Sequence, residues 1–414
     1  MLVSCLVQPQ VYSNNNYINY ISNKNNNQNL QPNSHTDLNK DPKAIYNVSF
    51  SANLSTPVIT KLERFEGCLF GGAIGDAFGA KIEMMSLDKI KALYGKASLK
   101  YIPKTGDKYK VTDDTQMTLF TTEGLLKSLL KNNNLNVEPD YNEIYKSYLN
   151  WYKTQTADFA DIKDKNGIMS VSSMFERHLP GRTCLEALKS NIMGTLEAPI
   201  NNSAGNGGIM RIAPVGILYN HNPELAFKIG VKCAAMTHGN PRAYLPAGFQ
   251  ASLIAELING KSLNEAIEKS IKILKEYKHS EYILAKIEQG INLAKTDLSP
   301  LEAINLIGKG NTGDEALSIA LYSILKNSAK IKASFTTAIN HSGDSDTIGA
   351  ITGNILGAMN GIKEFPRNWK DNIEYSEWMN RFAKALNFSA RQEESFVSTD
   401  CKSITERWND DKLS

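Results

Sequence analysis

Two short runs of hard oxygen donors stand out in this chain: Thr112-Asp113-Asp114-Thr115 and Asp344-Ser345-Asp346-Thr347. Each opens an apolar stretch with helical spacing. Either run alone reads as an acidic helix start, where a carboxylate gains from the macrodipole. Together they supply four carboxylates along with threonine hydroxyls, an all-oxygen set that favours Mg²⁺, Mn²⁺ or Ca²⁺ over zinc or copper. Converging carboxylates raise one another's pKa and so need cations. In a two-metal site the ions lie roughly 3.5–4 Å apart and can share a carboxylate and a water. The expected centre is dinuclear, with two Mg²⁺ or Mn²⁺ ions.

A third constellation is Asn202-Ser203-Ala204-Gly205-Asn206-Gly207-Gly208-Ile209-Met210-Arg211. Its small residues are of the kind that expose backbone N–H groups to an anion. It lacks the Lys-Ser/Thr ending of a P-loop, which argues against a nucleoside-triphosphatase. Alone, it also reads as a plain glycine-rich connection. His238, in Thr237-His238-Gly239-Asn240-Pro241, stands between two helical runs, either as a ligand contact or as a capping and packing residue.

The elements that must position these residues are helical. Gly67, Gly71, Gly75 and Gly79 recur every four residues, as do Gly349, Gly353 and Gly357. On a helix such positions form one face without side chains. Each glycine costs about 1 kcal/mol of propensity relative to alanine. A closely packed central pair would compensate; the alternative is two core helices that do not touch.

Gln116 to Lys131 reads as a helix, with Asp113 as its candidate N-cap, and Asp346 is a candidate cap for the later helix. Ser262-Leu263-Asn264-Glu265 and Ser299-Pro300-Leu301-Glu302 are capping-box patterns. Leu317, Ala320, Leu321 and Ile324 follow the i, i+3, i+4, i+7 rule, and 223–235 and 242–257 read the same way. Period-2 alternation is scarce. The fold class expected is all-α, one compact multi-helix orthogonal domain over 59–390. An Asn-rich tail without core-forming periodicity precedes it over 1–58, and a polar segment follows over 391–414.

Composition narrows the function classes. At 414 residues and 42% hydrophobic the chain can bury a large core. A net charge of +3 without a basic block gives no dedicated nucleic-acid surface. Five scattered cysteines without CxxC spacing argue against disulfides and zinc, and for a reducing compartment. Met1 to Val7 lacks a basic n-region, and the apolar stretch Gly67 to Ala80 is too short to cross a bilayer and carries Asp76. A cytoplasmic monomer that does not associate with membranes is expected.

These motifs, in this order, resemble the ADP-ribosylglycohydrolase family, which includes the dinitrogenase reductase-activating glycohydrolases. The matching stretches are GCLFGGAIGDAFGAKIE from Gly67 to Glu83, VTDDTQMT from Val111 to Thr118 and SAGNGGIMRIAP from Ser203 to Pro214. MTHG from Met236 to Gly239 and NHSGDSDTIGAITGNILGAMNG from Asn340 to Gly361 complete the set. The resemblance spans about 62 to 362 and leaves out the Asn-rich stretch and the extreme C-terminus.

The resemblance implies an all-helical fold with a dinuclear Mg²⁺ or Mn²⁺ centre held by Thr112, Asp113, Asp114, Asp344, Asp346 and Thr347. Glu83 would lie near the distal ribose or gate the cleft. Asn202, Ser203, Ala204, Gly205, Asn206 and Gly207 would hold the pyrophosphate and ribose, and His238 the ribose end. The implied reaction releases ADP-ribose from a modified protein side chain or a related small conjugate. Asp113, Asp346 or Glu83 would assist the proton transfer; the residues alone leave open which one does. Met169 to Arg182 is a candidate loop for contacting the leaving group.

Two rival readings apply. One is an inactive ADP-ribose-binding or structural descendant of the same fold, which the presence of both oxygen clusters disfavours. The other is a phosphatase of the haloacid-dehalogenase type, prompted by Asp344-x-Asp346. That chemistry needs a buried strand before the motif, and Asn340-His341-Ser342-Gly343 is a poor strand.

Overall fold

The structure is a computed structural model that describes residues 59–395 apart from Ala97. The Asn-rich stretch over 1–58 and residues 396–414 lie outside the described residues. The fold is all-α: sixteen α-helices and five short 3₁₀ turns, with no strand among the described residues. In chain order the helices begin with α1 (Lys61–Gly79), α2 (Leu87–Tyr94), α3 (Asp113–Asn132), α4 (Tyr141–Thr156), α5 (Arg182–Lys189) and α6 (Ala213–Leu218). Next come α7 (Pro223–Ala235), α8 (Pro241–Ile258), α9 (Leu263–Lys275), α10 (Ser280–Leu293) and α11 (Pro300–Ile307). The chain closes with α12 (Gly313–Lys326), α13 (Ile331–Ile339), α14 (Ser345–Asn360), α15 (Arg367–Asn372) and α16 (Ser376–Ser395). The last helix runs past residue 390. No described helix is long and apolar enough to cross a membrane.

The two glycine-faced helices are the axis of the domain. A Cβ added to Gly71 would sit 2.2 Å from the Gly353 carbonyl oxygen, and one on Gly75 would sit 1.9 Å from that of Gly349. Those distances are impossible for real side chains, so α1 and α14 touch backbone to backbone. The reading of two core helices that do not touch is excluded. Asn354 pins the pair: its Nδ2 donates to the Cys68 carbonyl at 2.8 Å, and its Oδ1 accepts from Gln250 Nε2 of α8 at 3.3 Å. A helix buried on every side is expected to be apolar all round. Asp76, buried in α1, breaks that rule.

Local signals account for most helix starts. Thr60 with Glu63, Ser262 with Glu265 and Ser299 with Glu302 all form reciprocal capping boxes. Leu317, Ala320, Leu321 and Ile324 are buried along α12 as the spacing predicts. Two expected caps are corrected. α3 begins three residues before Gln116, and its N-cap is Thr112, whose hydroxyl accepts from Asp114 N at 3.3 Å. Asp113 is already the first helical residue, and its own N–H is held by the His178 carbonyl at 2.8 Å. At α14 the N-cap position is Asp344, not Asp346, and no side chain bonds there. The carboxylates of both runs are therefore not spent on capping.

Candidate metal and substrate site

Asp76 organises the first acidic run. Its carboxylate accepts from Thr112 N at 2.9 and 3.0 Å, from Thr115 N at 3.2 Å and from the Thr115 hydroxyl at 2.5 Å. A helix N-terminus leaves amides without partners. Asp76, Thr112 and the His178 carbonyl satisfy those at the start of α3. A strap formed by residues 178–181 closes over the same turn, with Gly181 N donating to Asp113 Oδ2 at 2.9 Å. The strap lies within the Met169–Arg182 stretch singled out from the sequence. Asp76 lies in the GDAFG motif and is a functional residue the motif reading misses; a lone acid in the apolar, glycine-faced part of the helix is the signal that marks it.

The second run meets the first. Thr347 Oγ1 approaches Asp114 Oδ1 at 3.4 Å across 233 positions of sequence. Asn206 joins the glycine-rich loop to the same cluster: its Nδ2 donates to Asp344 Oδ2 at 2.9 Å and to the Gly310 carbonyl at 2.8 Å. Glu83 follows α1 on a half-buried turn, and its neighbour Met84 donates to the Gly343 carbonyl at 2.9 Å. Asp114 Oδ2, Asp344 Oδ1 and Asp346 Oδ1 are buried and accept no hydrogen bond.

Electrostatics disfavour the ionised form of Asp113, Asp114 and Asp346. Burial pushes Asp113, Asp114 and Asp346 well above the usual carboxylate range, and neighbouring carboxylates add to it. Glu83 is raised to about 7 by burial and by Asp344 and Asp76. Asp76 is raised by burial to about 6, against the opposing pull of its Thr115 and Thr112 bonds. No lysine or arginine is among the leading influences on any of them. A divalent cation is the charge that such a donor set fits, and three donor-free buried oxygens are the atoms it would take.

The glycine-rich loop is only partly available to a ligand. Ser203 N already donates to Asn201 Oδ1 at 2.9 Å, and Gly205 N to Ser203 Oγ at 3.2 Å. The Ala204 carbonyl holds Gly313 N at 3.1 Å. Asn202 is exposed, and its Oδ1 accepts from Asn240 Nδ2 at 2.8 Å. Gly207 must be glycine for a packing reason: a Cβ there would lie 2.9 Å from both Cys184 Sγ and His238 Cε1. His238 itself is buried, with Nδ1 2.8 Å from the Thr237 hydroxyl. Burial and Arg211 lower its pKa to about 3, so it is neutral.

Among the described residues, Glu176, His178 and Glu374 could also gather a metal, each offering an atom within 4.8 Å of the others. Lys110 already bridges the two carboxylates, at 3.1 Å to Glu176 and 2.7 Å to Glu374. His178 Nδ1 is taken by the Val111 carbonyl at 2.5 Å. This group is compensated by protein charge and holds the chain next to Thr112.

The family model for ADP-ribosylglycohydrolase matches residues 57–395. ADP-ribosylhydrolase ARH3 from Bos taurus is 24% identical over 79% of this chain and 93% of its own. The ADP-ribosyl-[dinitrogen reductase] glycohydrolase of Rhodospirillum rubrum is 22% identical over 75% and 90% respectively. Among solved structures, an ADP-ribosylglycohydrolase-related protein complex matches 80% of this chain and 100% of its own, with a TM-score of 0.56 at 22% identity. With the family model covering the whole described domain, the chain belongs to the ADP-ribosylglycohydrolase family.

Proposed function

We propose that the protein hydrolyses the glycosidic bond between ADP-ribose and a modified protein side chain or small conjugate, with two Mg²⁺ or Mn²⁺ ions as cofactors. The observation that carries this reading is the set of donor-free buried oxygens on Asp114, Asp344 and Asp346, beside a glycine-rich loop and a neutral histidine. The names of the relatives from Bos taurus and Rhodospirillum rubrum point to the same substrate class.

Thr112, Asp113, Asp114, Asp344, Asp346 and Thr347 are the residues that would hold the ions. Bound there, the ions would orient the ribose hydroxyls and polarise a water. The rest falls to the chain. Hydrolysis at an anomeric carbon passes through an oxocarbenium-like state, which an anionic surround stabilises. Asp76 and the 178–181 strap fix Asp113 in place. Glu83, with a pKa raised to about 7, can hold or give up a proton near neutrality, which suits general acid–base work at the leaving atom. Asn206 orients Asp344 against the loop that would take the phosphates and ribose.

The direct test offers ADP-ribosyl-arginine and ADP-ribosyl-serine peptides with Mg²⁺ or Mn²⁺ and measures free ADP-ribose. Release from either supports the reading, and the preferred peptide identifies the linkage. Binding of ADP-ribose without release from any linkage would show a binding descendant of the fold instead.

A further inference from the structure

Arg211 is wholly buried and meets no carboxylate among the described residues. Its guanidinium lies 4.2 Å from the centre of the Tyr148 ring, and Nη1 faces Met117 Sδ at 3.4 Å and Cys184 Sγ at 3.5 Å. Nη2 donates to the Cys233 carbonyl at 3.3 Å and, in its shortest bond, to Thr237 Oγ1 at 2.7 Å. Burying a guanidinium without a counter-ion is costly, so the destination of that bond is informative.

The same Thr237 oxygen lies 2.8 Å from His238 Nδ1. Arginine has donors only, so Thr237 Oγ1 must accept from Nη2. The hydroxyl's single hydrogen is then left for Nδ1, and no other acceptor for it occurs among the described residues. A neutral imidazole that accepts at Nδ1 carries its hydrogen on Nε2. That nitrogen faces the glycine-rich loop, where a Cβ on Gly207 would lie 3.1 Å from it and one on Gly205 3.3 Å. Nε2 bonds to no described protein group.

We propose that Arg211 and Thr237 are positioning residues that lock His238 in the Nε2-protonated neutral tautomer, so that it donates a hydrogen bond to a phosphate or ribose oxygen of the substrate. In this state His238 is not a base: Nδ1 is occupied and Nε2 already carries its proton. The identity of the ligand rests on the hydrolase reading; the tautomer does not.

The test is a two-bond ¹H–¹⁵N correlation spectrum of the full chain labelled at histidine, with His238 assigned by its loss in His238→Gln. The wild type is expected to show an unprotonated, accepting Nδ1 and a protonated Nε2. Thr237→Val keeps nearly the same shape without the hydroxyl. It is expected to populate the Nδ1-protonated form and to weaken ADP-ribose binding by about 3–10-fold, the worth of one hydrogen bond. Thr237→Ser is expected to restore both. A protonated Nδ1 in the wild type overturns the proposal, as does a Thr237→Val spectrum that keeps the wild-type tautomer. If Thr237→Val does not fold, the wild-type spectrum decides alone. If ADP-ribose does not bind while the tautomer is as stated, the hydrolase reading fails and the relay stands.

Discussion

Asp114, Asp344 and Asp346 each carry a buried oxygen that no protein donor reaches. A buried carboxylate left in that state must take up a proton or a cation. Removing one member of the cluster should therefore remove function more than stability. Asp113→Ala and Asp346→Ala are each expected to lower kcat/KM by about 100-fold or more, with unfolding midpoints near wild type or above it in chelator.

Asp76 differs, since its three donors, Thr112 N, Thr115 N and the Thr115 hydroxyl, belong to the start of α3. Asp76→Ala is expected to cost about 2–4 kcal/mol in urea unfolding, from a lost cap and buried amides left unpaired.

The same cluster sets a pH dependence. Asp76 and Glu83 have ordinary pKa values of 3.8 and 4.5 and folded values raised to about 6 and about 7. Between those limits the folded chain holds more protons than the unfolded one, so stability falls as pH rises. Asp113, Asp114 and Asp346 shift in the same direction. In chelator the melting temperature is expected to fall from about pH 4 to pH 7. Added Mn²⁺ should raise it more above pH 7 than at pH 5, since ionised carboxylates bind the ion and protonated ones do not.

At the scale of elements, the backbone contact between α1 and α14 holds the two acidic runs in register. Gly79 sits against the Ser345–Asp346 backbone, where a Cβ would lie 2.3 Å from Asp346 N. Helix propensity alone makes glycine to alanine worth about 1 kcal/mol of added stability. Gly353→Ala puts a methyl group 1.8 Å from the Gly71 carbonyl oxygen, so the opposite sign is expected, a loss of about 3 kcal/mol or failure to fold.

Much of this was legible because it is periodic or local. Glycines four apart and Ser-x-x-Glu patterns state their own geometry, and the two glycine faces offer a touching pair as one of two readings. The cap of α3 was not legible: which of Thr112 and Asp113 takes it depends on Asp76 and His178, which are distant in sequence. Nor did the glycine-rich loop declare that Asn201 and Ser203 side chains would use two of its amides. Arg211 and Thr237 were only letters in their motifs, since a relay through a hydroxyl is a property of packing.

For the molecule as a whole, the core spans the described helices and brings together residues that the chain keeps far apart. Asp76 and Glu83 come from α1 and its exit, Thr112 to Asp114 from the start of α3, and Asp344 to Thr347 from the start of α14. Three helix ends converge, and the backbone contact between α1 and α14 sets two of them against each other. We read this convergence as one cation-dependent hydrolytic centre. The measurement that tests it most directly is release of ADP-ribose from ADP-ribosylated peptides, with metal removed by chelator and then restored. Turnover is expected to stop in chelator, to return with Mg²⁺ or Mn²⁺, and to be lost in Asp113→Ala and Asp346→Ala with metal present. Turnover that continues undiminished in chelator and in both variants would contradict it.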